Sequence, residues 1–179
     1  MIIRANEFRF CNLCDEEMEK TMENNNTNYG QSVTGVVIYE GKVLLARHTY
    51  GGGAGKLIVP GGYVEYNESP QDALVREYLE ETGVTVVPRD IIGIRFNTHD
   101  WYVAFRADYI SGIPRSDEDE NSEVIWIDVE EALSRDDVPD LTKKLIQSAI
   151  FHQKGLEETA YTGTKYAPFS FYGLKEQKD

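Results

Sequence analysis

The segment from Ser69 to Gly83 (SPQDALVREYLEETG) carries its own start and stop signals, and it constrains what the rest of the chain must pack against. Ser69 is a good N-cap, Pro70 suits the first helical position, and Asp72 places negative charge on the first turn. Gly83 stands where a left-handed residue closes a helix. The spacing predicts a helix over 69–82. At about 100° per residue, with Glu77 at zero, Glu80 falls near −60° and Glu81 near +40°. Leu74, Val75, Tyr78, Leu79 and Thr82 occupy roughly 60° to 200°, an apolar stripe for a sheet to cover. Arg76 lies beside the acidic arc. On an exposed surface such neighbouring glutamates cost only ~0.2–0.5 kcal/mol and need no explanation. Once partly buried, two charges ~6 Å apart at an effective dielectric of ~20 repel by roughly 3 kcal/mol. Carboxylates gathered that way need cations, and oxygen-only donors suit Mg²⁺ or Mn²⁺.

Around this helix the chain reads mostly as strands. VTGVVIY (33–39) and VLLAR (43–47) are β-rich runs separated by Glu40-Gly41, a hairpin signal. LIVPGG (57–62) reads as a short strand ending at Pro60, and further strands are expected at 84–87 and 91–96. WYVAFRADY (101–109) has period two, with Trp101, Val103, Phe105, Ala107 and Tyr109 on one face. SDEDENSE (116–123) reads as an acidic loop, VIWIDV (124–129) as a strand, and helices follow near 129–134 and 140–154. Strands and helices mixed this way, with antiparallel hairpins, indicate an α+β fold.

The chain has 179 residues and a formal net charge of −13, so a general nucleic-acid binder is disfavoured. A divalent ion can still bridge an acidic protein to phosphates. Hydrophobic residues make up 41%, enough for a buried core, and no uncharged apolar run approaches a membrane span. The first ten residues lack a signal-peptide pattern, so a cytoplasmic protein is expected. Residues 1–30 read as an N-terminal extension with a polar linker, 31–155 as the main domain, and 156–179 as an aromatic tail that packs back.

GYVEYNESPQDALVREYLEETGV, Gly62 to Val84, resembles the signature of the Nudix hydrolases: Gly62, Glu68, Arg76, Glu77, Glu80, Glu81, Gly83 and Val84 all fall in place. Tyr78 departs from the usual aliphatic residue and, being on the packing face, is expected to alter core shape rather than chemistry. The resemblance implies a mixed β-sheet sandwiched between α-helices. It implies Mg²⁺- or Mn²⁺-dependent hydrolysis of a phosphoanhydride in a nucleoside diphosphate linked to another moiety. Glu77, Glu80 and Glu81 would hold the metal together with the Gly61 carbonyl, and Arg76 would hold Glu77 by an ion pair. Gly62, Glu68 and Gly83 would support the loop and helix, although loop geometry alone also accounts for Gly62 and Glu68. The general base is expected downstream at Glu123, with Glu120 and Glu118 behind it; the alternative is a plain acidic surface loop. Dimers are common in the family, so a homodimer is a further expectation. A non-catalytic nucleotide-binding or regulatory module on the same fold is the competing reading, with diphosphate isomerisation a third.

Other signals are weaker. GGGAGK (51–56) is one residue short of a phosphate-binding P-loop and precedes a strand, so it reads as a mobile loop near the substrate. Cys11 and Cys14 resemble half of a zinc site, but no second pair exists and His48, His99 and His152 are scattered. Tyr102 and Arg106 share a strand face and could stack on a base or contact a phosphate. Packing is the plainer role for that tyrosine.

Overall fold

The structure is a computed structural model that describes residues 30–96, 100–151, 155–159 and 171–173. The expectations for the N-terminal linker, for Cys11, Cys14, His99 and His152, and for Tyr161, Tyr166 and Phe169 concern residues outside that set.

The hairpin forms where its turn chemistry requires. Strand β1 (Gly30–Tyr39) pairs antiparallel with β2 (Lys42–His48) through Ile38 with Val43 and Tyr39 with Lys42. Glu40 and Gly41 both adopt positive φ, 50° and 77°, as the two-residue primed turn demands. A two-residue β3 (Leu57–Ile58) borders β2; it stops before Pro60, which has no N–H to give a ladder. The body of β1 pairs in parallel with β5 (Asp100–Gly112), Val33 beside Val103 and Gly35 beside Phe105. Beyond β5 lie β4 (Val84–Phe96), β7 (Leu156–Thr159) and β8 (Phe171–Gly173). Strand β6 (Asn121–Asp128) runs antiparallel along β2.

Helix α1 (Pro70–Thr82) covers one face of this mixed sheet, with Leu74 and Tyr78 packed on Val33, Val37, Val103 and Phe105. Helices α2 (Val129–Ser134) and α3 (Asp140–Ile150) cover the other, with Ala132, Leu145 and Ile146 against Val36, Leu45, Ala104 and Ile127. The period-two reading of β5 corresponds to this division: Val103, Phe105 and Ala107 face α1, while Ala104 faces α3. From the chain's end, Tyr172 packs edge-on to Phe105, ring centroids 5.5 Å apart. The fold is α+β, a mixed sheet sandwiched between helices. Among the described residues no helix is long and apolar enough to cross a membrane.

Three local expectations are corrected. The two strands at 84–87 and 91–96 are one strand, because register shifts at Pro88 and Ile91 absorb the proline without ending the pairing. The acidic loop ends at Glu120 rather than at 123, since β6 already pairs with β2 from Asn121. Leu79, placed on the apolar stripe, is about half exposed, whereas Glu81 is 7% exposed. The packed face of α1 is thus rotated toward Glu81.

Candidate active site

Helix α1 begins as its sequence specifies. The Ser69 hydroxyl accepts from the Asp72 N–H at 3.2 Å, and Gly83 closes the helix in the left-handed region, its N–H on the Leu79 carbonyl. Tyr78 is fully buried and donates its hydroxyl to the Gly35 carbonyl at 2.5 Å, so the helix is tied to the centre of β1. Its effect is on the core.

Arg76 organises the acidic side. Its Nε and Nη2 each donate to Glu68 at 2.9 Å, and Nη2 also reaches the Tyr63 carbonyl at 3.0 Å. Nη1 donates to Glu77 at 2.9 Å and to Glu80 at 3.2 Å. One guanidinium therefore holds three carboxylates, and the fork to Glu68 pulls that carboxyl below the usual range. Glu68 closes the loop from the other side, accepting the Glu65 N–H at 3.1 Å.

The three helix glutamates occupy different environments. Glu80 is largely exposed, Glu77 mostly covered, and Glu81 buried. Burial pushes the Glu81 carboxyl up to about 8, with Glu77, Glu120 and Asp117 adding to the shift and the Gly61 N–H opposing it. Burial also raises Glu77, against the pull of Arg76 and with help from Glu80 and Glu120. Negative groups converge here from the helix and from the 117–120 loop.

Two glycines make the approach possible. A Cβ at Gly62 would lie 2.3 Å from the Glu77 carboxyl carbon, so that carboxylate occupies the space of a side chain. Gly61 has φ 147°, its Cβ position is filled by the Val33 carbonyl oxygen, and its N–H donates to Glu81 at 3.3 Å. Among the described residues, no three His, Cys, Asp or Glu side chains stand close enough to hold an ion as they are. The donor set nonetheless suits a hard divalent cation. It is all oxygen, and Glu81 is a buried carboxylate with three more acidic side chains raising its pKa and one backbone donor lowering it.

Downstream, the structure separates the two glutamates. Glu123 stands opposite Arg47 in the β2–β6 pairing and accepts from its Nε at 2.8 Å; Arg47 also reaches Asp137 at 3.1 Å. Glu123 is thereby held in an ion pair on the strand. Glu120 is electrostatically coupled to both Glu77 and Glu81. Its position is fixed by the Gly-rich segment: Tyr50 donates to its carboxylate at 3.0 Å, and the Thr49 N–H and hydroxyl both bond its carbonyl.

A cleft of about 460 Å³ opens beside Gly61 and Gly62 and reaches Gly52, Gly53, Tyr102 and Arg95. Tyr102 lines it and Arg106 does not; Arg106 pairs with the buried Asp90, 3.0 Å away. The residue that sequence reasoning missed is Arg95, whose Cζ lies 4.5 Å above the Tyr102 ring. Cross-strand pairing of Arg95 with Tyr102 follows from the bulged register of β4 and β5, which no local pattern announces.

Comparisons with known proteins agree with this architecture. A MutT-like protein of Streptomyces ambofaciens is 36% identical over 106 residues, 58% of this chain and 67% of that protein. A NAD-capped RNA hydrolase NudC of Actinobacillus succinogenes is 36% identical over 110 residues, 55% of this chain. The match spans only 40% of that relative's length. The crystal structure of a NUDIX hydrolase from Nitrosomonas europaea superposes with a TM-score of 0.63, at 24% identity, over 72% of this chain and 76% of that one, a likeness of fold. The family model described as NUDIX domain matches residues 29–148, and the chain belongs to the Nudix family.

Proposed function

We propose that this protein is a divalent-metal-dependent pyrophosphohydrolase, cleaving a phosphoanhydride bond in a nucleoside diphosphate linked to another moiety. The observation that carries this reading is the buried Glu81 carboxyl, pushed up to about 8 by burial and by Glu77, Glu120 and Asp117, and bonded to the N–H of Gly61, a residue of the cleft wall. Perturbed acids converging at a cleft mark sites of chemistry. A relative named as a NAD-capped RNA hydrolase is consistent with a nucleotide-derived substrate.

Glu77, Glu80, Glu81 and the Gly61 carbonyl would hold Mg²⁺ or Mn²⁺. Such an ion, when bound, offsets phosphate charge and acidifies water. Arg76 keeps Glu77 and Glu80 oriented, and Gly62 lets the Glu77 carboxylate lie against the backbone. Glu120, held by Tyr50, would accept a proton from the attacking water. Glu123, engaged by Arg47, serves the β2–β6 frame instead. The cleft beyond Gly61 receives the nucleoside, with Tyr102 in its wall.

The test is hydrolysis by the purified chain with Mg²⁺ of nucleotide sugars, ADP-ribose, dinucleoside polyphosphates and nucleoside triphosphates. Release of phosphorylated products is expected from the diphosphate-linked compounds, and Glu80→Gln or Glu81→Gln should abolish it. Full rates in both variants would overturn the assignment. Tight nucleotide binding without turnover in any metal would favour the regulatory module.

A further inference from the structure

Among the described residues lining the cleft, one carries a charge: Arg95. Its plane is fixed from two sides, by the Tyr102 ring 4.5 Å below and by Asp100, whose two oxygens both accept from Nη2 at 2.7 Å. These contacts leave the fork only partly used. Nε is buried and closed to a ligand, so the donors left for one are those at the Nη1–Nη2 end of the fork. Arginine donates and cannot accept, so a ligand seated against it must present acceptors. The neighbouring walls are apolar, with Ile58, Val59, Leu141 and Leu145 available to a flat ring, and the Thr34 hydroxyl is already committed to the Pro60 carbonyl at 2.8 Å.

Resting on the hydrolase reading above, we propose that Arg95 is a specificity-determining residue that reads the substrate's base and selects a 6-oxopurine, guanine, over adenine. The cleft runs from Gly61 and Gly62 to Arg95, and Gly61 is bonded to Glu81, so a diphosphate held beside Gly61 directs the nucleoside toward the guanidinium. Guanine shows two adjacent acceptors, O6 and N7, that match the fork; adenine sets an amino donor where an acceptor is needed. A donor facing a donor in a desolvated wall is penalised more than a matched pair is rewarded. Tyr102 and Asp100 act through Arg95 as positioning residues.

The deciding experiment has two arms on the full chain. Calorimetry measures GMP against AMP binding without metal, and kinetics measure kcat/KM for GDP-glucose against ADP-glucose with Mg²⁺. Guanine should be favoured by about 10–100-fold in both. Arg95→Gln should bring the two bases to parity by weakening the guanine compound, with circular dichroism confirming that the variant is folded. Arg95→Lys, which keeps the charge but not the planar fork, should not restore the preference. Equal affinities or an adenine preference in the wild type would overturn the proposal. So would rescue by lysine, which would mark a site for an anion. Absence of turnover with every compound, alongside an intact GMP preference, would overturn the hydrolase reading and leave this one supported.

Discussion

The carboxylate of Glu77 lies where a side chain at position 62 would begin, with the ideal Cβ 2.3 Å from its Cδ. Replacing Gly62 by alanine must therefore push Glu77 out of its bond to Arg76, or shift the loop backbone. Misplacement of a catalytic group by about 1 Å costs on the order of 100-fold. Gly62→Ala is expected to lower kcat by about that factor. Steady-state kinetics, read beside circular dichroism to confirm folding, checks it.

Arg76 holds Glu68, Glu77 and Glu80 together and is itself mostly covered. Arg76→Ala leaves at least two largely buried carboxylates without their cation, a loss of about 1.5–3 kcal/mol for charged hydrogen bonds. In a chain of this size that corresponds to a melting temperature lower by roughly 3–10 °C. Arg76→Lys should recover only part of the loss, because an ammonium cannot reproduce the bidentate contact to Glu68.

The two downstream glutamates are separable by mutation. Glu120→Gln should reduce kcat by about 10²–10⁴-fold, the range for loss of a general base, with little change in KM. Glu123→Gln should retain hydrolysis and instead weaken the frame, since Arg47 loses its charged partner on β6. Activity lost in Glu123→Gln and kept in Glu120→Gln would reverse their roles.

Glu81 gives the metal-free protein a characteristic pH dependence. An unfolded glutamate releases its proton near 4.3, about the model-peptide value, whereas burial holds the folded carboxyl up to about 8. Between those values the folded state binds the extra proton, so stability falls as pH rises through that window. Melting curves in chelator at about pH 6 and about pH 8 should show this loss. Glu81→Gln should flatten it and melt higher than wild type at the upper pH. Added Mg²⁺ should recover stability in wild type and not in Glu81→Gln.

How much was legible in the sequence depended on whether the determinant was local. The span and caps of α1 were readable from Ser69, Pro70 and Gly83, because capping is decided within one turn. The inward face of β5 was readable because alternation needs no partner. The burial of Glu81 was not: on the wheel it shares an arc with Glu77 and Glu80, and its partner, the Gly61 N–H, reaches it through a loop that passes close over β1. Glu123 and Glu120 are three residues apart in one acidic run, and the register that sets Glu123 opposite Arg47 is what distinguishes them. Arg95 went unnoticed for the same reason, since it meets Tyr102 only across a strand pair interrupted by bulges.

The parallel pairing of β1 with β5 has a consequence for how the chain matures. Val33 and Thr34, over which Gly61 is threaded, are held on their other side by Val103 and Ala104, with the whole acidic helix lying between them in sequence. Closing so long a loop is entropically slow, and local contacts cannot anticipate it. A nascent polypeptide emerging from the ribosome can thus wind α1 early, yet its carboxylates acquire their final neighbours only after residue 120 has been synthesised and β5 has docked.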